Sequence, residues 1–266
     1  MTHEAPWQLA QAVCMRMTQM YPGDVIIGGV YGSTARGTDT AWSNLQMLFI
    51  VRDSSPAKGQ HFIYRGTAVG YLVIKEVALM ETLTTPMLKW PFYMGVLSVL
   101  HVLYGDPGRI EVWPRLGQAI PPEKFKAALE AALPGLVVES YGRILSCRQR
   151  GNVLDIWPAV LEVLDERKQA LCLLNRRWVT HDYYQGLVDT LDFPKLPEGC
   201  RELVPTLWTA RTIEEIVPLG DQAGGELLAT ARCRRDPRPG LSIRRGDSRM
   251  RIAEKGLDGP RSLPLS

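Results

Sequence analysis

The sequence contains no apolar stretch long enough to cross a membrane. Its longest apolar runs, such as residues 94–104, are interrupted by small and polar residues, whereas a membrane-spanning helix needs about 20 consecutive apolar residues. The first residues also lack the basic segment followed by an apolar one that marks a secretory signal. We therefore expect a cytoplasmic protein with no membrane partner.

Cysteine and histidine are scarce, and neither forms the close clusters that zinc sites need. No Cys-x-x-Cys motif is present, and no histidine has a Ser or Asp at a spacing that suggests catalysis. We expect the cysteines to be buried reduced thiols and the histidines to be structural or exposed. These residues are Cys14, Cys147, Cys172, Cys200 and Cys233, with His3, His61, His101 and His181.

The formal charge of +3 is distributed unevenly along the 266 residues. Residues 229–266 contain nine Arg and one Lys against three Asp and one Glu, which leaves a net charge of −3 on the rest of the chain. The net negative charge of residues 1–228 argues against broad nucleic-acid binding and is compatible with a polycationic small substrate. Residues 226–266 lack apolar periodicity, so we predict a basic, disordered tail there.

Hydrophobic periodicity predicts an α/β fold with a mixed sheet in the first half and helices alone in the second. Pro121 and Pro122 lie between the halves, so we place one domain at residues 1–121 and a helical domain at residues 122–225. The predicted strands are 25–31, 45–51, 62–64 and 69–74, with a polar loop over 32–43. The predicted helices are 6–21, 80–88, 91–103, 123–132, 136–148, 156–176, 183–191 and 201–217.

The most informative segment joins the first two predicted strands. Gly32 and Ser33 end one strand, and backbone N–H groups with the Ser33 hydroxyl can bind phosphate oxygens there because glycine permits close approach. Arg36 can add a planar, charged donor to a triphosphate. Asn44 and Gln46 lie on one face of the second strand, about 7 Å apart, where two ligands could reach the same metal ion.

This pattern resembles the nucleotidyltransferase superfamily, in which Gly-Ser and a spacer precede Asp-x-Asp or Asp-x-Glu. Within it, the residues of 29–47 are most similar to the aminoglycoside 4′-nucleotidyltransferases of the kanamycin nucleotidyltransferase type. The matching residues are Gly29-Val30-Tyr31-Gly32-Ser33, Arg36, Thr38-Asp39, Ser43, Leu45 and Met47. Weaker similarity continues through Trp90-Pro91 to Val217.

The sequence departs from the family pattern at the metal-binding acids and at two further acidic positions. Asn44 and Gln46 replace the two metal-binding carboxylates. The family's glutamate on the following strand falls at Gly70, and Glu76 is a possible substitute. In the family, the catalytic base lies on a helix that begins with Val-Glu, and Val138-Glu139 resembles that beginning. The base then falls at Gly142, or at Arg143 after a shift of one residue. Glu139 is the acid that remains near this position.

The resemblance implies transfer of a nucleoside monophosphate from a Mg²⁺-bound nucleoside triphosphate to the 4′-hydroxyl of an aminoglycoside, by a homodimer. Gly32, Ser33 and Arg36 would hold the triphosphate. Because Mg²⁺ prefers carboxylate oxygens, the amides make its binding doubtful and predict that catalysis is absent or very weak. Two alternatives stay open, namely a non-catalytic module that binds nucleotide or aminoglycoside and a nucleotidyltransferase for another acceptor.

Overall fold

A computed structural model of the chain describes residues 4–181, 183–220 and 222. Its centre is a five-stranded sheet with the order β3-β4-β2-β1-β5. The strands are β1 (Val25–Tyr31), β2 (Leu45–Val51), β3 (Gln60–Tyr64), β4 (Thr67–Lys75) and β5 (His101–Tyr104). Strands β2 and β4 are parallel, whereas the other neighbours are antiparallel. The predicted fold class, a mixed sheet followed by helices, is confirmed.

Helices form most of the rest of the described chain. Those in the first half are α1 (Glu4–Met20), α2 (Gly32–Arg36), α3 (Glu76–Thr84), α4 (Trp90–Ser98) and α5 (Gly108–Gln118). The second half contains α6 (Pro122–Pro134), a π-helical segment (Gly135–Ser140), α7 (Tyr141–Arg150), α8 (Val153–Asn175), α9 (Tyr183–Thr190) and α10 (Cys200–Thr209), then α11 over residues 213–220. None of the helices in these described ranges is long and apolar enough to span a membrane.

Three secondary-structure predictions were wrong. The predicted loop begins with α2, which ends where Gly37 adopts a left-handed φ of 70°. The predicted helix over 91–103 ends at Ser98, and His101–Tyr104 forms the edge strand β5. No sign of this boundary is visible in the sequence, because the mostly apolar residues of 91–104 show no change of periodicity there. The predicted helix over 201–217 is interrupted after Thr209, and α5, which contains Pro114, was not predicted.

Side chains from β2 alternate between two apolar layers, as the period of a strand requires. Leu45, Met47 and Phe49 pack on the side of α1, while Leu48 and Ile50 pack with α3, α4 and α5. The second layer also includes Phe125 of α6 and Leu173 of α8. The boundary that we predict near residue 121 is therefore crossed by a shared apolar cluster, and the division into domains stays a prediction. Residues 226–266 lie outside the described ranges.

Candidate functional site

A cleft of about 530 Å³, counting the solvent at its mouth, lies beside the junction of β1 and α2. The lining combines the end of β1, α2, the start of β2, α4, α8 and the segment before α9. The lining residues are Tyr31, Gly32, Arg36, Gln46, Pro91, Phe92, Gly95, Val96, Val99, Lys168, Gln169, Val179, Thr180 and His181. Three residues predicted from the sequence, Gly32, Arg36 and Gln46, are thus brought together, and Ser33 adjoins Gly32 in α2.

Gly32 and Gln46 are in direct contact. The first residue of α2, Gly32, has a φ of +74°, which favours glycine. A Cβ added to it would lie 2.1 Å from Oε1 of Gln46. The Gln46 amide therefore occupies the space that the missing Cβ leaves open.

Gly70 lies directly beside Gln46 on the neighbouring strand. The parallel register pairs Gln46 of β2 with Gly70 of β4, and His61 of β3 is opposite Gly70. A Cβ at position 70 would lie 2.7 Å from Nδ1 of His61, so the imidazole covers this glycine. Asn44 precedes β2, is exposed, and does not line the cleft. The positions predicted for metal ligands thus hold one amide at the cleft, one exposed amide and a glycine.

Arg36 connects α2 to the segment before α9. Its Nη1 donates a hydrogen bond of 2.7 Å to the backbone carbonyl of Thr180. Its Nε is buried and has no hydrogen-bond partner within the described ranges. The guanidinium therefore positions one wall of the cleft and retains a donor that a ligand could use.

Two further cleft residues come from the helical half, and the sequence did not single them out as functional. The side chain of Lys168 on α8 is 10% exposed and forms an ion pair of 2.6 Å with Asp165 one turn earlier. Nδ1 of His181 lies 2.7 Å from Oδ2 of Asp189, whose other oxygen accepts a hydrogen bond of 2.8 Å from Gln185. Lys168 and His181 follow Gly32 by 136 and 149 residues, so no local pattern connected them to it, although His181 and Asp189 are only eight residues apart.

The candidate catalytic acids lie away from this cleft. Glu139, exposed in the π-helical segment, and Gly142 in α7 are not among the lining residues. A Cβ at Gly142 would meet nothing within 4 Å. Glu76 begins α3 beyond the far end of β4 and pairs with Arg109 at 2.7 Å, so it does not replace the carboxylate missing at Gly70.

The side chains at the cleft do not fit a Mg²⁺ ion. None of the described lining residues is a carboxylate. Within the described ranges, no group of three or more His, Cys, Asp or Glu side chains could hold a metal. A hard divalent cation prefers several charged oxygen ligands, and the cleft offers it the neutral amides of Gln46 and Gln169 together with two cations.

Comparisons with known proteins find a distant relationship. The chain is 22% identical to an aminoglycoside nucleotidyltransferase (4′) from Bacillus sp. over 151 residues, which are 57% of this chain and 60% of that protein. A solved nucleotidyltransferase-like protein from Exiguobacterium sibiricum 255-15 matches with a TM-score of 0.49 and 16% identity, over 84% of this chain and 75% of that one. No protein-family model matches. The sequence similarity supports a relationship to the nucleotidyltransferase superfamily. It does not show that the chain is an aminoglycoside 4′-nucleotidyltransferase.

Proposed function

We propose that this chain is an aminoglycoside nucleotidyltransferase homologue that binds nucleoside triphosphate and aminoglycoside but transfers the nucleotide very weakly or not at all. The observation that carries the proposal is the pair Gln46 and Gly70, adjacent in register where the resemblance expects carboxylates. The cleft beside Gly32 supports a nucleotide as one ligand.

Charge explains why transfer should fail. Metal ions supply much of the transition-state stabilisation in nucleotidyl transfer, because they neutralise the charge of the phosphates and align the reacting oxygens. Amides at positions 44 and 46 remove two negative charges from the ligand set. A loss of about 4 kcal/mol of transition-state stabilisation would slow the reaction roughly a thousandfold.

Carboxylates on the helical half are the described groups that would favour a polycationic second ligand. Glu162 pairs with Arg143 and raises the pKa of that guanidinium through a hydrogen bond and its charge, and the charges of Glu139 and Glu166 contribute further. These three carboxylates would attract the ammonium groups of an aminoglycoside. They do not line the cleft. Because the resembled family forms homodimers, we also propose that this chain is a homodimer. Sedimentation equilibrium tests its oligomeric state.

The test is pyrophosphate release from nucleoside triphosphate with kanamycin and Mg²⁺. We expect no turnover by the parent chain and partial recovery by Asn44→Asp with Gln46→Glu. Adding Gly70→Glu should increase the recovery because it restores the family's third acid, and His61→Ala is needed with it because the imidazole covers position 70. A control with Gln19→Glu and Gln149→Glu adds the same charge at exposed positions elsewhere and should stay inactive.

The outcomes separate the alternatives. Turnover of kanamycin by the parent chain would refute the inactive assignment. Calorimetric binding of nucleotide or kanamycin without turnover by any variant would favour a non-catalytic binding module. Turnover that requires a different hydroxyl compound would identify a nucleotidyltransferase for another acceptor.

A further inference from the structure

The cleft presents positive charge where a metal-dependent enzyme would present negative charge. Its described lining includes Arg36, Lys168 and His181 and no carboxylate. We propose that the cleft is a metal-independent polyphosphate site, in which Lys168 supplies the charge that a divalent cation would otherwise supply and Arg36 supplies a fixed hydrogen-bond donor. The inference rests on the proposed function and assigns new residues to the same cleft.

Lys168 is the central group because its charge is largely removed from water. Its side chain is 10% exposed, whereas its partner Asp165 is 59% exposed and does not line the cleft. A cation in such surroundings is stabilised only by nearby opposite charge, since water contributes little. A phosphate in the cleft would give the ammonium a second anionic partner, and the interaction would be strengthened by the low local dielectric.

Arg36 adds a donor that is already in place. Its Nη1 is fixed by the Thr180 carbonyl at 2.7 Å, and its buried Nε has no partner within the described part of the chain. A buried donor without a partner is costly, and a ligand oxygen that accepts from it removes that cost. The hydrogen bond to Thr180 also joins the arginine to the residue that precedes His181.

His181 lines the cleft together with Arg36 and Lys168. Its Nδ1 lies 2.7 Å from Oδ2 of Asp189, which fixes the orientation of the imidazole. The charged side chains that share the lining with it are Arg36 on α2 and Lys168 on α8. A phosphate that binds to these two cations would therefore lie beside the imidazole.

Gln46 is the fourth residue that we assign to the polyphosphate site. Its Oε1 lies against Gly32, and its neutral amide can rotate to offer an N–H donor to a phosphate. A carboxylate at the same position would repel a metal-free phosphate. Gln46→Glu should therefore weaken binding in the presence of a chelator by at least tenfold, although the same change is needed for a metal site.

The experiment is calorimetric titration of the full chain with sodium tripolyphosphate in EDTA at pH 7. We expect binding in EDTA. Lys168→Met, which keeps the aliphatic stem, should weaken binding at least tenfold, and His181→Gln, which removes the imidazole from the cleft, should weaken it less. Lys124→Gln and His101→Gln change exposed residues outside the cleft and should behave as the parent.

A measurement on the parent chain keeps the proposal testable if Lys168→Met does not fold. Tripolyphosphate chelates added Mg²⁺ and loses negative charge, so Mg²⁺ in excess of EDTA should weaken its binding or leave it unchanged. Binding that disappears in EDTA, or that Mg²⁺ strengthens tenfold, overturns the proposal, as does a folded Lys168→Met variant with parental affinity. Titration with ATP distinguishes a failure of this inference from a failure of the proposed function. ATP that binds only with Mg²⁺ overturns this inference alone, whereas ATP that binds under neither condition overturns the proposed function.

Discussion

Gly32 illustrates how one residue joins backbone conformation to the chemistry of the cleft. Its φ of +74° and its contact with the Gln46 amide leave no space for a Cβ. Gly32→Ala should therefore destabilise the chain by about 1–3 kcal/mol, through left-handed strain and displacement of Gln46. Chemical denaturation measures the change.

Gly142→Ala provides the matched control. Position 142 is helical and a Cβ there would meet nothing within 4 Å. Alanine should raise the free energy of unfolding by about 0.5–1 kcal/mol, because glycine is the less favourable residue within a helix. Equal effects of the two substitutions would contradict the conformation assigned to Gly32.

The buried cysteines should be almost unreactive in the folded chain. Burial raises the pKa of Cys172 to about 12 and that of Cys14 to about 11. The thiolate is the reactive form, and at pH 8 only about one Cys172 in ten thousand would be ionised. Iodoacetamide at pH 8, read by mass spectrometry, should modify both only after unfolding in urea. Rapid labelling of Cys172 in the native chain would show that solvent reaches it.

At the scale of elements, sequence patterns located β1 and β2 to the residue but missed their neighbour β5. Those strands have turn residues on both sides, such as Pro22-Gly23 before Val25, and these define their ends. Strand β5 follows α4 after only two residues, Val99 and Leu100, within one apolar run. Its pairing with β1 needs the absence of a side chain at Gly29, whose Cβ would lie 2.5 Å from the His101 carbonyl. Such a tertiary contact leaves no local pattern.

Trp90 at the start of α4 joins the elements of the two halves. It is 0% exposed, donates through Nε1 to the Leu83 carbonyl at 3.2 Å, and contacts the rings of Phe125 and Trp178 edge to face. Trp90→Ala should cost about 3–5 kcal/mol in the free energy of unfolding, because it leaves a cavity and an unpaired carbonyl.

Trp42 is the control for that substitution. It is 96% exposed, so Trp42→Ala should change stability by no more than about 0.5 kcal/mol. Thermal and urea unfolding of the two variants measure the difference. A small effect at Trp90 would mean that the cluster shared by α4, α6 and the segment before α9 contributes little to the fold.

For the whole molecule, the cleft shows why sequence reasoning found only part of the site. Gly32, Arg36 and Gln46 lie within one short segment, so their pattern was visible. Lys168 and His181 reach the cleft through the packing of α8 and the segment before α9 against α4, and no spacing along the chain predicts this. The same packing leaves Glu139 and Gly142 outside the lining, where a local match of Val-Glu had suggested a catalytic role.

The basic tail provides the last prediction. Deleting residues 229–266 should leave folding and association unchanged, because this segment lacks apolar periodicity and the described apolar clusters end at Leu219. The melting temperature should change by less than about 3 °C, the shift that roughly 1 kcal/mol would cause in a chain of this size.

A longer deletion is the appropriate comparison for the tail. A chain that ends at residue 210 also loses Ile216 and Val217, which are 0% and 4% exposed, so it should be destabilised by about 2–5 kcal/mol. Differential scanning calorimetry and sedimentation equilibrium on both truncations distinguish the two regions. A fall of more than a few degrees for the shorter deletion would mean that the basic segment packs on the body, since unfavourable charge alone would make its removal stabilising.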